Sequence, residues 1–167
     1  MTQIIDLMSE RNLWRYLQRN LCKKGLFSRI ENPFYKGIPD VNYLMNGVEG
    51  WIELKYVKSF PKKELTPVSI PHYTKEQKMW HKVRYDAGGN TAIILQVDKY
   101  YFIFRQDKTA LVGHLNYKAL KKLADGWWVN KINFKEGCLS IKKKKNTHTK
   151  RYDRIVVKCD NYDSNMV

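Results

Sequence analysis

The sequence predicts an α/β fold, a central sheet flanked by helices. Three features predict it: helical periodicity at the start, two hairpin patterns, and a helix-capping box between them. At 167 residues the chain can bury a substantial core and reads as a single domain over 1–167. With 43% hydrophobic and 13% aromatic residues, its low mean hydropathy reflects abundant lysine, not a lack of core formers.

Ile4, Leu7, Met8, Leu13, Trp14, Leu17 and Leu21 recur near the helical period, so a first helix is expected over 4–22, with Thr2 as N-cap and an end near Gly25. Leu26 to Phe34 alternates weakly and suits a short strand or extended segment. Ile38–Met45 and Val48–Val57 are strand-like runs around Asn46-Gly47, the strongest short hairpin signal in the chain. Lys58 to His72, with prolines 61, 67 and 71 and several lysines, reads as a surface loop able to face a substrate.

Thr74-Lys75-Glu76-Gln77 has the form of a capping box, which predicts a second helix over about 74–87, stopped by Gly88-Gly89. Thr91–Val97 and Tyr100–Phe104 then form a second hairpin around Asp98-Lys99. Asn116 to Ala124 suits a short helix ended by Gly126, with Trp127-Trp128 packing it against the sheet. No repeat or linker divides the chain. A core over about 3–105 is followed by an extension over about 106–167, with a basic stretch at 141–154 and a frayed tail from Asp160. Whether that extension adds to the sheet, binds nucleic acid or mediates dimerisation is open at this point.

Lys and Arg number 31 against 16 Asp and Glu, a net charge of +15, which favours a polyanionic partner and nucleic acid above others. Cys22, Cys138 and Cys159 are widely spaced and match no ligand cluster, so they read as reduced thiols of a cytoplasmic protein. No export signal is apparent, and no window approaches the roughly 18 apolar residues of a membrane span. No phosphate-cradling glycine loop precedes a helix, which disfavours a nucleotide cofactor, and no Ser or Cys sits in a nucleophile motif. His72, His81, His114 and His148 lack metal-ligand spacing; His72 and His148 suit phosphate contacts.

Strand alternation puts Glu53 and Lys55 on one face and Ile52, Leu54 and Tyr56 on the other, which places the chemistry opposite the core. A two-residue turn at Asn46-Gly47 pairs Met45 with Val48, and counting outward brings Asp40 opposite Glu53. Facing carboxylates repel unless one is protonated or a cation sits between them, and oxygen donors suit Mg²⁺ or Mn²⁺. Asp40, Glu53 and the Leu54 carbonyl are therefore candidate ligands, with Lys55 placed to orient water or stabilise a phosphate in transition. Lys36, Lys58, Lys62, Lys63, His72 and Lys75, with Lys142, Lys143, Lys144, Lys145 and Arg151, are candidate nucleic-acid contacts. Tyr35, Tyr56, Phe60 and Tyr73 could stack on unpaired bases, whereas Trp80 suits the core.

Pro39-Asp40, a gap of twelve residues, and Glu53-Leu54-Lys55 resemble the PD-(D/E)xK nuclease motif. The layout of residues 3–105 is similar to the restriction-endonuclease-like core, above all in Holliday-junction resolvases and small viral and phage nucleases. That resemblance implies a mixed sheet and a Mg²⁺- or Mn²⁺-dependent endonuclease acting on DNA, on branched or structured DNA in particular. It also implies a homodimer, and a host-cytoplasm location for a phage-encoded chain. It further implies that Glu10, or failing that Glu31, completes the metal site, and that Gln77 contributes beside it. The rival expectation is a non-catalytic DNA- or RNA-binding protein, or an accessory factor with a nuclease-like fold, whose carboxylates are incidental.

Overall fold

The computed structural model describes residues 9–21, 23–30, 32 and 34–133, together with the backbone of 143–144 and 153–154. Its elements are α1 (Glu10–Leu21), β1 (Leu26–Arg29), β2 (Val41–Met45), β3 (Val48–Val57), α2 (Lys75–Asp86), β4 (Thr91–Val97) and β5 (Tyr100–Arg105). A 3₁₀ helix (Gln106–Leu111), α3 (Tyr117–Leu123) and β6 (Gly126–Val129) follow. Lys143–Lys144 and Asp153–Arg154 pair as a separate two-stranded ladder.

The six strands lie in chain order, β1-β2-β3-β4-β5-β6. Every pairing is antiparallel except β3 with β4, so the sheet is mixed. The parallel pair has a covalent cause: the β3–β4 connection carries α2, and a chain that crosses over through a helix re-enters the sheet in its original direction. The expected α/β class, with helices flanking a mixed sheet, is what the chain adopts.

The hairpin register is the one counted from the turn. Asn46 and Gly47 both take positive φ, 52° and 74°, and Met45 pairs with Val48 and Val41 with Ile52. The capping box also forms: Thr74 Oγ1 accepts from the Gln77 N–H at 3.3 Å, and Gln77 Oε1 accepts from the Thr74 N–H at 3.0 Å.

The structure adds to these expectations and corrects some of them. Among the described residues α1 starts at Glu10, where Ser9 Oγ accepts from the Asn12 N–H at 3.3 Å; the expected stretch from Ile4 to Met8 lies outside the described residues. Thr2 lies outside the described residues. Trp127 and Trp128 do not merely brace α3; they belong to β6, opposite Phe102 and Tyr101 of β5. The extension thus adds a strand to the sheet. Finally, the Glu53/Lys55 face is not a solvated one, because both faces of the sheet are covered.

On one face Leu13, Leu17 and Leu21 of α1 pack on Val41, Tyr43, Ile52, Leu54, Ile94 and Ile103. On the other, Ile93, Leu95, Val97, Phe102 and Phe104 pack with Val68, Tyr73, Val112 and Leu120 from the segments after β3 and β5. Glu53 and Lys55 pair with Ile93 and Leu95 in the parallel ladder and share that second face. Strands buried on both sides are what a parallel pairing requires. Among the described residues no helix is long and apolar enough to cross a membrane.

Candidate functional site

The site forms where β2 stops and β3 continues. Val41 and Ile52 are the outermost partners on that side, so Leu54 has no ladder neighbour there. Its N–H donates instead to Asp40 Oδ2 at 2.8 Å, and Asp40 immediately precedes β2. A carboxylate thus stands in for the missing strand, satisfying an amide that would otherwise be buried unpaired.

Glu53 is 0% exposed and Lys55 is 3% exposed. Lys55 Nζ lies 2.7 Å from Glu53 Oε1 and 3.6 Å from Glu10 Oε1. Glu10 opens α1, which covers the opposite face of the sheet; because β2 is absent beyond Ile52, the two faces communicate there and Glu10 reaches Lys55. With 40% side-chain exposure, Glu10 joins half-buried Asp40 on the solvent side of the cluster, and Glu53 forms its floor.

Gln77 Nε2 donates to Glu53 Oε1 at 2.6 Å, while the same amide's Oε1 accepts from Thr74 N. Capping and site contact are therefore not alternatives for Gln77. The cap fixes the amide's orientation, and that orientation presents its NH₂ to the carboxylate. Glu53 Oε2, by contrast, is buried with no hydrogen-bond partner.

The electrostatics follow from this packing. Burial, then the charge of Asp40, pushes Glu53 up to about 8 against the pull of Lys55. Glu10 is raised as well, by burial, with Lys55 opposing. For Lys55 burial works to lower the value, but Glu53 and Glu10 together outweigh it and the ammonium is held.

The donor set of Asp40 and Glu53, two carboxylates on neighbouring chain segments, suits a hard cation. Among the described residues no group of three or more His, Cys, Asp or Glu side chains is placed to hold a metal ion. Asp40 and Glu53 are the expected pair, with Lys55 lying 2.7 Å from Glu53 and 3.6 Å from Glu10. Mg²⁺ commonly uses one or two carboxylates with waters and phosphate oxygens completing its shell, so this set fits Mg²⁺ and not a fully protein-coordinated ion.

The expected nucleic-acid residues are dispersed. Lys58, Lys62 and Lys63 are exposed between β3 and α2, and Lys75 is the exposed first residue of α2. Lys36 is brought to the start of α2, where it and Lys75 both act on the Glu76 carboxylate. His72, exposed and at a positive φ of 65°, acts on Glu10 and so lies beside the cluster. Lys142, Lys145, Arg151, His148 and Glu31 lie outside the described residues, and only the backbone of Lys143 and Lys144 is described. Tyr73 and Phe60 pack in the second core, and Trp80 stacks edge-on against Trp51, 5.4 Å between centroids. A groove of about 510 Å³ between α2 and the 3₁₀ helix is lined by Met79, Tyr85 and Thr109 among others, but by none of Asp40, Glu53 or Lys55.

The sequence offered no reason to single out His81, which is 0% exposed on the site-facing side of α2. Burial, then the charge of Lys55, holds it down to about 4, so the ring is neutral at ordinary pH. Its one sequence signal was position, one turn beyond Gln77 on the same helix face. No protein-family model matches the chain, and no curated protein sequence matches it.

Proposed function

We propose that the chain is a Mg²⁺- or Mn²⁺-dependent phosphodiesterase acting on DNA, with Asp40, Glu53 and Lys55 as its active residues. The observation that carries this reading is the meeting of those three at the open end of β3. The restriction-endonuclease-like architecture is part of the proposal. The mixed sheet and the resemblance to the PD-(D/E)xK motif support it, and the +15 charge supports a polyanionic substrate.

In this reading Asp40, Glu53 and the Leu54 carbonyl hold the ion, with Glu10 at the solvent side. The ion supplies Lewis acidity to the scissile phosphate and to the attacking water. Lys55 has three donors, two of them directed at Glu53 and Glu10, and places its remaining positive charge toward a phosphate entering past Asp40. Gln77 holds the Glu53 carboxylate in one orientation. Lys36, Lys75 and the lysines of the 58–72 loop neutralise flanking phosphates. Preference for branched DNA and action as a homodimer rest on the resemblance alone.

The test is cleavage of a labelled four-way junction beside linear double- and single-stranded DNA, in Mg²⁺, Mn²⁺ or EDTA, with wild type and Glu53→Ala. Metal-dependent cutting lost in the variant supports the reading. A second reading, a nucleic-acid-binding protein without catalysis, draws on the complete burial of Glu53 and its pairing with Lys55. Salt-sensitive binding of equal strength in both proteins, with no cutting of any substrate, would favour it.

A further inference from the structure

Three buried side-chain atoms beneath α2 lack a hydrogen-bond partner: Glu53 Oε2, His81 Nε2 and Trp51 Nε1. Their side chains lie on one face of the β3–β4 pair, under α2. Trp51 and Glu53 lie two residues apart on the same face of β3, and their parallel partners on β4 are Thr91 and Ile93. Helix α2 runs antiparallel to these strands on its way from β3 to β4. Four residues of helix rise about 6 Å and two residues of strand about 6.6 Å, so one helical turn matches one strand repeat. Gln77 accordingly stands over Glu53, and His81 stands over Thr91, to whose Oγ1 its Nδ1 is bonded.

Aromatic rings pack around His81. His81 lies edge-on to Tyr73 at 6.2 Å and to Trp80 at 5.9 Å, and Trp80 lies 5.4 Å from Trp51. Tyr73 also senses the charge of Glu53, which places it beside the carboxylate. The chemistry of the three atoms is complementary. The indole N–H can only donate, the Glu53 oxygen accepts when ionised and can donate when protonated, and the neutral imidazole nitrogen can do either. Buried polar atoms in native proteins find partners, and where no protein group reaches them an internal water with two to four contacts usually does.

We infer that His81 is a positioning residue for Glu53, pinned by Thr91 through Nδ1 and acting from Nε2 on Glu53 Oε2 through one internal water that Trp51 Nε1 also holds. Gln77 then grips one carboxylate oxygen and the His81-bound water the other, fixing the plane of the group that the proposed function places at the centre of the site. The inference rests on that reading for its catalytic consequence but not for its structural content.

Two measurements separate these. In the wild-type protein, a high-resolution crystal structure should show one ordered water within hydrogen-bond distance of Glu53 Oε2 and His81 Nε2, and nitrogen-15 NMR at pH 7 should show a neutral ring hydrogen-bonded at both nitrogens. A dry space, or a water touching neither atom, overturns the inference even if the protein cuts DNA. The second measurement uses amides that mimic one ring nitrogen at a time. His81→Asn keeps a polar group at the Nδ1 position and loses Nε2, whereas His81→Gln reaches the Nε2 position. His81→Asn should melt close to wild type yet lose about tenfold or more in kcat with KM for DNA unchanged, and His81→Gln should recover most of that loss. Losses that track melting temperature in both variants would assign His81 to packing alone and overturn the positioning role. Absence of cutting by wild type would refute the proposed function and leave the water and the imidazole state to be judged by the first measurement.

Discussion

Glu53→Gln tests whether the buried carboxylate carries a proton in the folded protein. Burial and Asp40 raise Glu53 from 4.5 to about 8, so the folded state binds the proton more tightly than the unfolded chain. The associated stability is fully present below 4.5 and is lost as pH rises toward 8, at about 1.4 kcal/mol per pH unit. His81 acts in the opposite sense: depressed from 6.5 to about 4, it adds stability as pH rises between those values. Wild type alone would therefore look nearly flat below pH 6.5 and decline above it. The difference between wild type and Glu53→Gln removes the His81 contribution, which is common to both. Between pH 5 and 7 that difference should move against wild type by about 2–3 kcal/mol, or roughly 1 M in urea midpoint at a slope near 2 kcal/mol per M. Urea unfolding of both proteins at half-unit pH steps measures it. Mg²⁺ should flatten the wild-type decline and leave the variant unchanged. Parallel profiles for the two proteins across this range would refute the protonated, desolvated Glu53 on which the calculation depends.

Further outcomes follow from individual contacts. Asp40→Ala removes the acceptor of the Leu54 N–H and should cost about 1–3 kcal/mol in chemical denaturation while abolishing metal-dependent cutting and preserving DNA affinity in a filter-binding assay. Asp40→Asn keeps an oxygen for that amide but removes a charge that raises Glu53, so the pH-dependent decline of the protein should shift to higher acidity. Gln77→Ala loses its side-chain half of the capping box and the Glu53 contact, and a thermal or urea melt should register about 2 kcal/mol. Gly50→Ala drives a Cβ into the ring of Tyr43, its cross-strand partner, and should destabilise by about 1–3 kcal/mol with little effect on DNA affinity.

Local chemistry made much of the site legible. Asn46-Gly47 set the hairpin register, the register set the face shared by Asp40 and Glu53, and Thr74 with Gln77 set the start of α2. What stayed hidden depended on distant segments. Glu53 and Lys55 alternate with Leu54 as a solvated strand would, and their burial comes from Val68, Tyr73 and α2, none of it encoded in the strand's own pattern. Glu10 was suggested only by family resemblance, since its contact with Lys55 depends on β2 beginning only at Val41. Trp127-Trp128 looked like packing residues because a four-residue strand is too short for alternation to declare itself. His81 lacked any ligand spacing, and its significance emerges only with Thr91 beneath it.

The phenol of Tyr16 in α1 accepts a hydrogen bond from the backbone N–H of Ile132, 2.8 Å away and 116 positions later in the chain. Ile132 is itself buried in the core that α1 covers, and Tyr16 stacks on Tyr101 at 5.5 Å. During synthesis α1 emerges first but cannot complete its docking until residue 132 is available. Loop-closure entropy then makes this clasp one of the later events of folding. A chain cut back to residue 105 would also strip β6 from β5 and leave a bare edge strand, which templates association between copies. Trimming the molecule at residue 105 therefore risks insoluble protein, and the shortest tractable version extends through Ile132.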